Sequence, residues 1–340
     1  MAPQLRVRCA YYAKRYVSCL FYRRCVRRHL EIFAVHQKER FHIPVLLKEV
    51  IEYIKLFEGG VYADLTFGEG GHTEELLRGG AKRVDACDRD RATLERYREG
   101  GEFRSDPRLT LSHQPFSQWA EVCPPYLYDG ILVDLGVSTR QLLTPERGFS
   151  FADSGPLDMR MDPDREVSLL EKLEEVTEKG LAKVLEDNTD LFPAVPIARA
   201  IKDAVRRREL KTTADLIHVL GGKAGKRHPA TVIFLALRMW VNDELGEVEK
   251  TFPKLISFLK PGGRLVVLTF HSTEDRKVKQ VFKMLAGKCV CPPESRRCDC
   301  PRVKLVEEVL KKPLDPSREE MRRNPRSRSA KLRCVARSVL

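Results

Sequence analysis

Val61-Tyr-Ala-Asp-Leu-Thr-Phe-Gly-Glu-Gly-Gly-His-Thr73, with Cys87-Asp88-Arg-Asp90 a strand and a helix later, is the stretch that decides the fold. An apolar run ends in Asp64, a glycine turn follows (Gly68, Gly70, Gly71), and a helix starts at Thr73. This pattern predicts the opening βαβ unit of a doubly wound α/β sheet, in which ligands sit at the carboxyl ends of the strands. Asp88 closes the next apolar run, Val84-Asp-Ala-Cys87. An acid there can accept hydrogen bonds from both hydroxyls of a ribose, so a nucleoside-bearing cofactor is expected.

The turn narrows the choice of nucleoside. The dinucleotide fingerprint G-x-G-x-x-G needs a third glycine for close helix–strand packing. Counted from Gly68 and Gly70, that position is Thr73. Asp64 and Glu69 crowd the turn as well, and carboxylates repel a diphosphate while suiting an ammonium or a sulfonium. S-adenosyl-L-methionine carries both cations and no phosphate. A nicotinamide oxidoreductase shares the fold but needs the missing glycine.

Charge is unevenly placed along the 340 residues, a length that exceeds one average domain. The formal net charge is +13, of which residues 1–40 hold +8 and residues 318–340 hold +6, leaving −1 for the body between them. Basic ends on a nearly neutral body favour contact with a polyanion such as nucleic acid, or are solvated tails. Residues 1–40 are set outside the fold; the first thirty lack any acid. They read as an organellar transit segment, a basic RNA-binding arm, or a leader translated from an early start codon. No stretch approaches the ~20 apolar residues that cross a membrane. The nucleoside-cofactor core argues for a reducing compartment, the cytoplasm first and the mitochondrial matrix second.

Along the chain, Val45, Leu46, Val50 and Ile54 recur at helical spacing. Ala92–Arg98 reads as a helix and Leu109–Ser112 as a strand leading into His113-Gln-Pro-Phe116. Asp129–Gly136 is a strand too apolar for an exposed sheet, ending in Asp134 and the loop Val137–Gln141. The alternation then stops. Residues 142–227 give a Gly/Pro/Asp-rich loop and four helical segments, a helical insertion of ordinary domain size between sheet segments 41–141 and 228–340. One helix around Ala230–Glu249 precedes Pro261-Gly-Gly263 and a strand at Arg264–Phe270; a helix at Asp275–Leu285 and two closing strands, Val303–Lys311 and Lys331–Arg337, complete the pattern.

Several motifs together resemble one family. They are His42-Ile-Pro-Val-Leu-Leu47, Thr66–Thr73, Asp134-Leu-Gly-Val-Ser138, Glu146-Arg-Gly-Phe-Ser-Phe151 and Gly155-Pro-Leu-Asp-Met-Arg-Met-Asp162. His228-Pro-Ala-Thr231, Phe270-His-Ser-Thr-Glu-Asp-Arg276 and Asn324–Arg333 follow in order. The chain is similar over residues 41–337 to the ribosomal RNA small subunit methyltransferases of the MraW type, which modify N4 of a cytidine in 16S-type rRNA. The resemblance implies a class I S-adenosylmethionine-dependent methyltransferase with a mostly parallel seven-stranded sheet. It places cofactor contacts on Gly70, Gly71, His72, Asp88, Phe116, Asp134 and Gln141, and implies small-subunit rRNA, a decoding-centre cytidine, as substrate, with the helical insertion recognising the RNA. Two departures stand out: Asp187-Asn-Thr-Asp-Leu-Phe-Pro193 replaces the family's Tyr-Gly-Glu-Glu-like segment, and Thr273 replaces a leucine. A homodimer is compatible with the sequence, and a non-catalytic assembly factor that kept the fold is the competing reading.

The acceptor chemistry singles out Asp134. Cytosine N4 has its lone pair delocalised into the ring, so an acceptor placed against the amino hydrogens would localise it. Asp134 is the catalytic candidate; it can equally contact only the cofactor. Phe149 and Phe151 are candidates for the wall that receives an unstacked base, or ordinary packing. His271 can accept a proton or simply hold a loop. Asp158, Arg160 and Asp162 can order RNA phosphates or brace the loop. Cys289-x-Cys291 and Cys298-x-Cys300 are close enough in sequence for a tetrahedral zinc site or for reduced surface thiols.

Overall fold

The computed structural model describes residues 43–164, 167–189, 193–221, 229–292, 295, 297–298 and 300–339. The basic arm 1–40, His228, and Pro293 and Arg296 of the cysteine loop lie outside them.

Helix α1 (Leu47–Tyr53) precedes four strand–helix units: β1 (Val61–Asp64) and α2 (Gly71–Arg78), β2 (Arg83–Asp88) and α3 (Arg91–Gly100), β3 (Leu109–His113) and α4 (Phe116–Val122), β4 (Tyr128–Asp134) and α5 (Thr139–Leu143). The insertion supplies α6 (Leu169–Glu175), α7 (Glu178–Asn188), α8 (Ala194–Arg206) and α9 (Thr213–Val219). Then come α10 (Pro229–Val241), α11 (Glu244–Phe258), β5 (Leu259–Thr269), α12 (Ser272–Leu285), β6 (Val306–Glu308), α13 (Arg318–Arg323) and β7 (Lys331–Arg337).

The strands form one seven-stranded sheet in the order β3-β2-β1-β4-β5-β7-β6. Strands β1 to β5 pair in parallel, and β7 runs antiparallel to both β5 and β6. Their apolar blocks follow from burial on both faces, with side chains alternating. Ala63, Leu65, Ile131, Val133, Leu265 and Val267 face α4, α11 and α12. Tyr62, Val84, Leu132, Val266 and Leu268 face α1 and α2. This is the class I methyltransferase arrangement expected from the sequence. The strand order reverses between β1 and β4, where a ligand crevice is expected. No helix among the described residues is long and apolar enough to cross a membrane.

The insertion has a core of its own, in which Phe149, Leu157 and Met159 pack with Leu173, Leu185 and Ile201. Ala230, Ile233, Phe234 and Leu237 of α10 belong to the same cluster. Packing therefore carries this layer to Val241, past the sequence boundary at residue 227.

Three local details differ from expectation. The single helix around Ala230–Glu249 is two helices, broken where Asp243 takes a left-handed φ of 46°, a conformation that Asn and Asp tolerate better than most residues. Asn242 holds the break, donating from Nδ2 to the carbonyls of Met159 and Arg238 and accepting from the Met161 N–H. Strand β5 starts earlier than predicted because Pro261-Gly-Gly263 is absorbed as an irregularity: Leu259 faces Tyr128, and Arg264 faces Gly130. Finally, α4, α5 and α13 are helices where the sequence reading has connecting segments.

Candidate functional site

A cavity of about 400 Å³ opens at the carboxyl ends of β1, β2 and β4, lined by Gly68 and Gly71 of the glycine turn but not Gly70, by Asp88, Phe116, Asp134 to Thr139, Gln141 and Leu142, and by residues from the insertion and the carboxyl-terminal segment. Its size falls in the usual range of ligand pockets.

The floor is the glycine turn. Gly70 has φ 80°, and a Cβ there would lie 2.7 Å from the Tyr97 ring and 2.8 Å from that of Phe67. A Cβ on Gly71 would lie 2.2 Å from Cγ of Pro44. Only glycine permits the backbone and the Pro44 segment to approach this closely. Asp64 plays a different part from the one expected. It is buried and does not line the cavity; it accepts from Thr73 Oγ1 at 2.7 Å and from the Thr66 N–H at 3.3 Å, tying β1 to α2. Burial raises its pKa, opposed by His72 and by the hydrogen bond from Thr73. Glu69 does line the cavity, with Arg140 Nε 3.4 Å from its carboxylate.

Asp88 closes β2. Its Oδ2 accepts from the Gly68 N–H and its Oδ1 from the Asp90 N–H, each at 2.8 Å. One lone pair on each oxygen remains, the arrangement a pair of vicinal hydroxyls requires. Burial pushes this carboxyl up to about 6 despite the two backbone donors.

His72 and Asp134 meet across the switch point, Nε2 to Oδ2 at 3.7 Å. Both ring nitrogens of His72 and Oδ1 of Asp134 are buried without a hydrogen-bond partner among the described residues. Buried polar atoms are paired in the great majority of cases, so three orphans lining one cavity mark a place for a ligand. Phe116 is buried against Phe252, ring centroids 6.3 Å apart, and also lines the cavity. Gln141 lines it with much of its amide already engaged: Oε1 accepts from the Ser138 N–H and Nε2 donates to Asp90 Oδ2, each at 2.8 Å. Asp90 also receives Arg147 Nη1 at 2.8 Å, and Arg147 donates onward to the carbonyls of Arg160 and Met161. Gln141 and Asp90 thus fasten the β4 side of the cavity to β2 and to the insertion loop.

Other candidates resolve into packing. Phe149 and Phe151 join the insertion core, with Phe151 edge-on to Phe234 at 4.9 Å, and neither lines the cavity. His271 caps α12, accepting from the Thr273 N–H at 3.2 Å. Arg160 forks onto Asp158, bracing the loop. Asp162 is buried 3.5 Å from His113.

Sequence reasoning gave no site role to Pro44, Phe270 and Arg326, although they lie in the quoted motifs, nor to Arg238, Glu244 and Glu247; all six line the cavity. Arg238 bonds Glu244 and Glu274 in a buried cluster, and Arg326 donates to Thr139 Oγ1. They come together only by folding. A signal existed for α5, since Ser138-x-x-Gln141 is a capping box.

The cavity suits S-adenosylmethionine: an acceptor pair at Asp88 for a ribose, carboxylates at Glu69 and Asp134 for a cationic ligand, and acids where a diphosphate would need donors. The profile of the MraW methylase family matches residues 39–338. The Ribosomal RNA small subunit methyltransferase H of Halothermothrix orenii is 38% identical over 310 residues, covering 88% of this chain and 99% of the relative. Its namesake from Carboxydothermus hydrogenoformans is 40% identical over 305 residues, covering 86% and 97%. Among solved structures, an rRNA methylase from Streptococcus thermophilus aligns over 88% of this chain and 99% of its own, at 10% identity and a TM-score of 0.38, too distant to carry weight.

Proposed function

Because the chain belongs to the MraW methylase family, we propose that it methylates N4 of a cytidine in small-subunit, 16S-type rRNA, using S-adenosylmethionine. The observation that carries this reading is the set of unpartnered polar atoms of His72 and Asp134 beside the Asp88 carboxylate. S-adenosylmethionine, when bound, supplies the methyl group as a sulfonium electrophile.

The protein's own residues do the rest. Asp88 takes the ribose hydroxyls, and the glycine turn brings backbone close to the ligand. Asp134 offers Oδ1 to an amino hydrogen of the acceptor, which draws the nitrogen lone pair out of conjugation and stabilises the charge that develops there. Holding acceptor and cofactor together supplies much of the acceleration, as expected for an in-line displacement. The acceptor base must leave its stack, and Phe270, Leu142 and Met161 give the cavity an apolar wall to receive it. The released proton passes to water, which agrees with His271 being a helix cap.

The partner is small-subunit rRNA, contacted by the helical insertion and the basic carboxyl-terminal segment. The compartment follows the substrate: the bacterial cytoplasm, or the mitochondrial matrix if residues 1–40 act as a transit segment, which sequencing the mature amino terminus distinguishes.

Small-subunit RNA lacking the modification, incubated with the full chain and methyl-deuterated S-adenosylmethionine, should yield deuterated N4-methylcytidine in nucleoside mass spectrometry. Label on ring carbon or on ribose, or no label, would contradict the proposal.

A further inference from the structure

The connection from α12 to β6 is closed at its base and, among the described residues, coreless beyond it. The Leu305 N–H donates to the Leu285 carbonyl at 2.8 Å, Ala286 bridges Lys304, and Lys288 pairs with Glu308. From Gly287 to Arg302 no described residue is buried. Even so, the Sγ atoms of Cys289, Cys291, Cys298 and Cys300 all lie within 4.8 Å of one another. Cys289 and Cys298 stand 3.4 Å apart, Cys291 and Cys300 3.3 Å.

These separations are too long for a disulfide, whose sulfurs lie ~2.05 Å apart. With metal–sulfur bonds of about 2.3 Å a tetrahedron has edges of roughly 3.8 Å, a length that the two close pairs and the 4.8 Å span of the four sulfurs bracket. The Val290 N–H points at Sγ of Cys300, 3.4 Å away, a backbone donor aimed at sulfur. A C-x-C pair is tighter than the usual zinc knuckle, but the criterion is where the sulfurs converge, and all four do. Among its described residues the loop buries no apolar side chain that could offset the entropy of ordering it, as a bound metal would.

We infer that Cys289, Cys291, Cys298 and Cys300 hold one structural zinc ion as four thiolates. Four protein ligands leave no open position, so the ion cross-links the loop and takes no part in methyl transfer. The span of the sulfurs leaves room for a single ion, not for a cluster of several irons. Binding displaces the thiol protons and is favoured by rising pH.

The test is the metal content of the full chain, purified in reductant without chelator and desalted, by elemental mass spectrometry. One zinc per chain is expected, kept in Cys123→Ser and lost in the double variant Cys289→Ser/Cys298→Ser. The unmutated chain exchanged with cobalt(II) should show thiolate-to-metal charge-transfer absorption and tetrahedral d–d bands, a readout independent of how the variants fold. A zinc-free chain that takes up no cobalt would overturn the inference, as would iron with acid-labile sulfide, or undiminished zinc in the double variant.

Discussion

Nε2 of His72, near the start of α2, stands 3.7 Å from the carboxylate of Asp134 at the end of β4, and neither imidazole nitrogen has a hydrogen-bond partner among the described residues. Each unsatisfied buried polar atom costs about 1–3 kcal/mol, a cost the ligand-free protein carries and a bound ligand relieves. Replacing His72 by Phe removes the orphaned nitrogens while keeping a ring of similar shape. The variant should melt no lower than the parent by scanning calorimetry, yet bind S-adenosylmethionine about tenfold more weakly, some 1.4 kcal/mol. A marked loss of stability would show that the imidazole serves the fold.

Asp88 gives the site a pH dependence. Burial pushes its carboxyl up to about 6, so the folded chain holds this proton more tightly than the unfolded one, whose value is near 3.8. Its contribution to stability is therefore present at low pH and is lost as pH rises from about 4 to 6. The charged form is the better acceptor for ribose hydroxyls, so cofactor affinity should rise with pH through about 6 and then level. Asp88→Ala should abolish this step and cost more than about 1 kcal/mol of binding. Calorimetric titrations across that window decide it; unchanged affinity in the variant would refute the ribose assignment.

Gly71→Ala tests the close approach of Pro44. The added methyl would lie 2.2 Å from Pro44 Cγ, and relieving such overpacking costs about 1–3 kcal/mol. Urea unfolding should show a lower midpoint with an unchanged slope, together with weaker cofactor binding. A midpoint equal to that of the parent would mean that the Pro44 segment yields freely.

Much of this was legible in the chain. The glycine turn, Asp88 and Asp134 are readable because each sits within a few residues of an apolar strand, and doubly wound sheets place ligands at strand ends. Buried parallel strands announce themselves as apolar blocks. Less legible was α5, a single turn too short to show a helical period, although its Ser138–Gln141 capping pair was there to be read. The break at Asn242 was hidden because apolar spacing continues from α10 into α11; what breaks the helix is Asn242 bonding backbone of a distant loop. Arg238, Phe270 and Arg326 reach the cavity from three separate segments, and no local pattern links them. Phe149 and Phe151 look like stacking aromatics by position and are packing residues by environment.

The carboxyl-terminal segment should carry part of the RNA affinity. Arg322 and Arg328 are exposed, and each phosphate contact removed lowers the salt slope of binding by about 0.7–0.9. The double variant Arg322→Ala/Arg328→Ala should bind small-subunit RNA more weakly, with a slope reduced by roughly 1.4–1.8, and should keep parental affinity for S-adenosylmethionine. An unchanged slope would place the phosphate contacts elsewhere, the insertion first.

The site assignment turns on the acceptor meeting Asp134. Single-turnover methyl transfer to small-subunit RNA, at saturating S-adenosylmethionine, compares the parent with Asp134→Ala most directly. Loss of a group that acts on the reacting nitrogen should slow the step by about 10²-fold or more, while the dissociation constant of S-adenosylmethionine moves less than about tenfold. Equal rates in parent and variant would contradict the account.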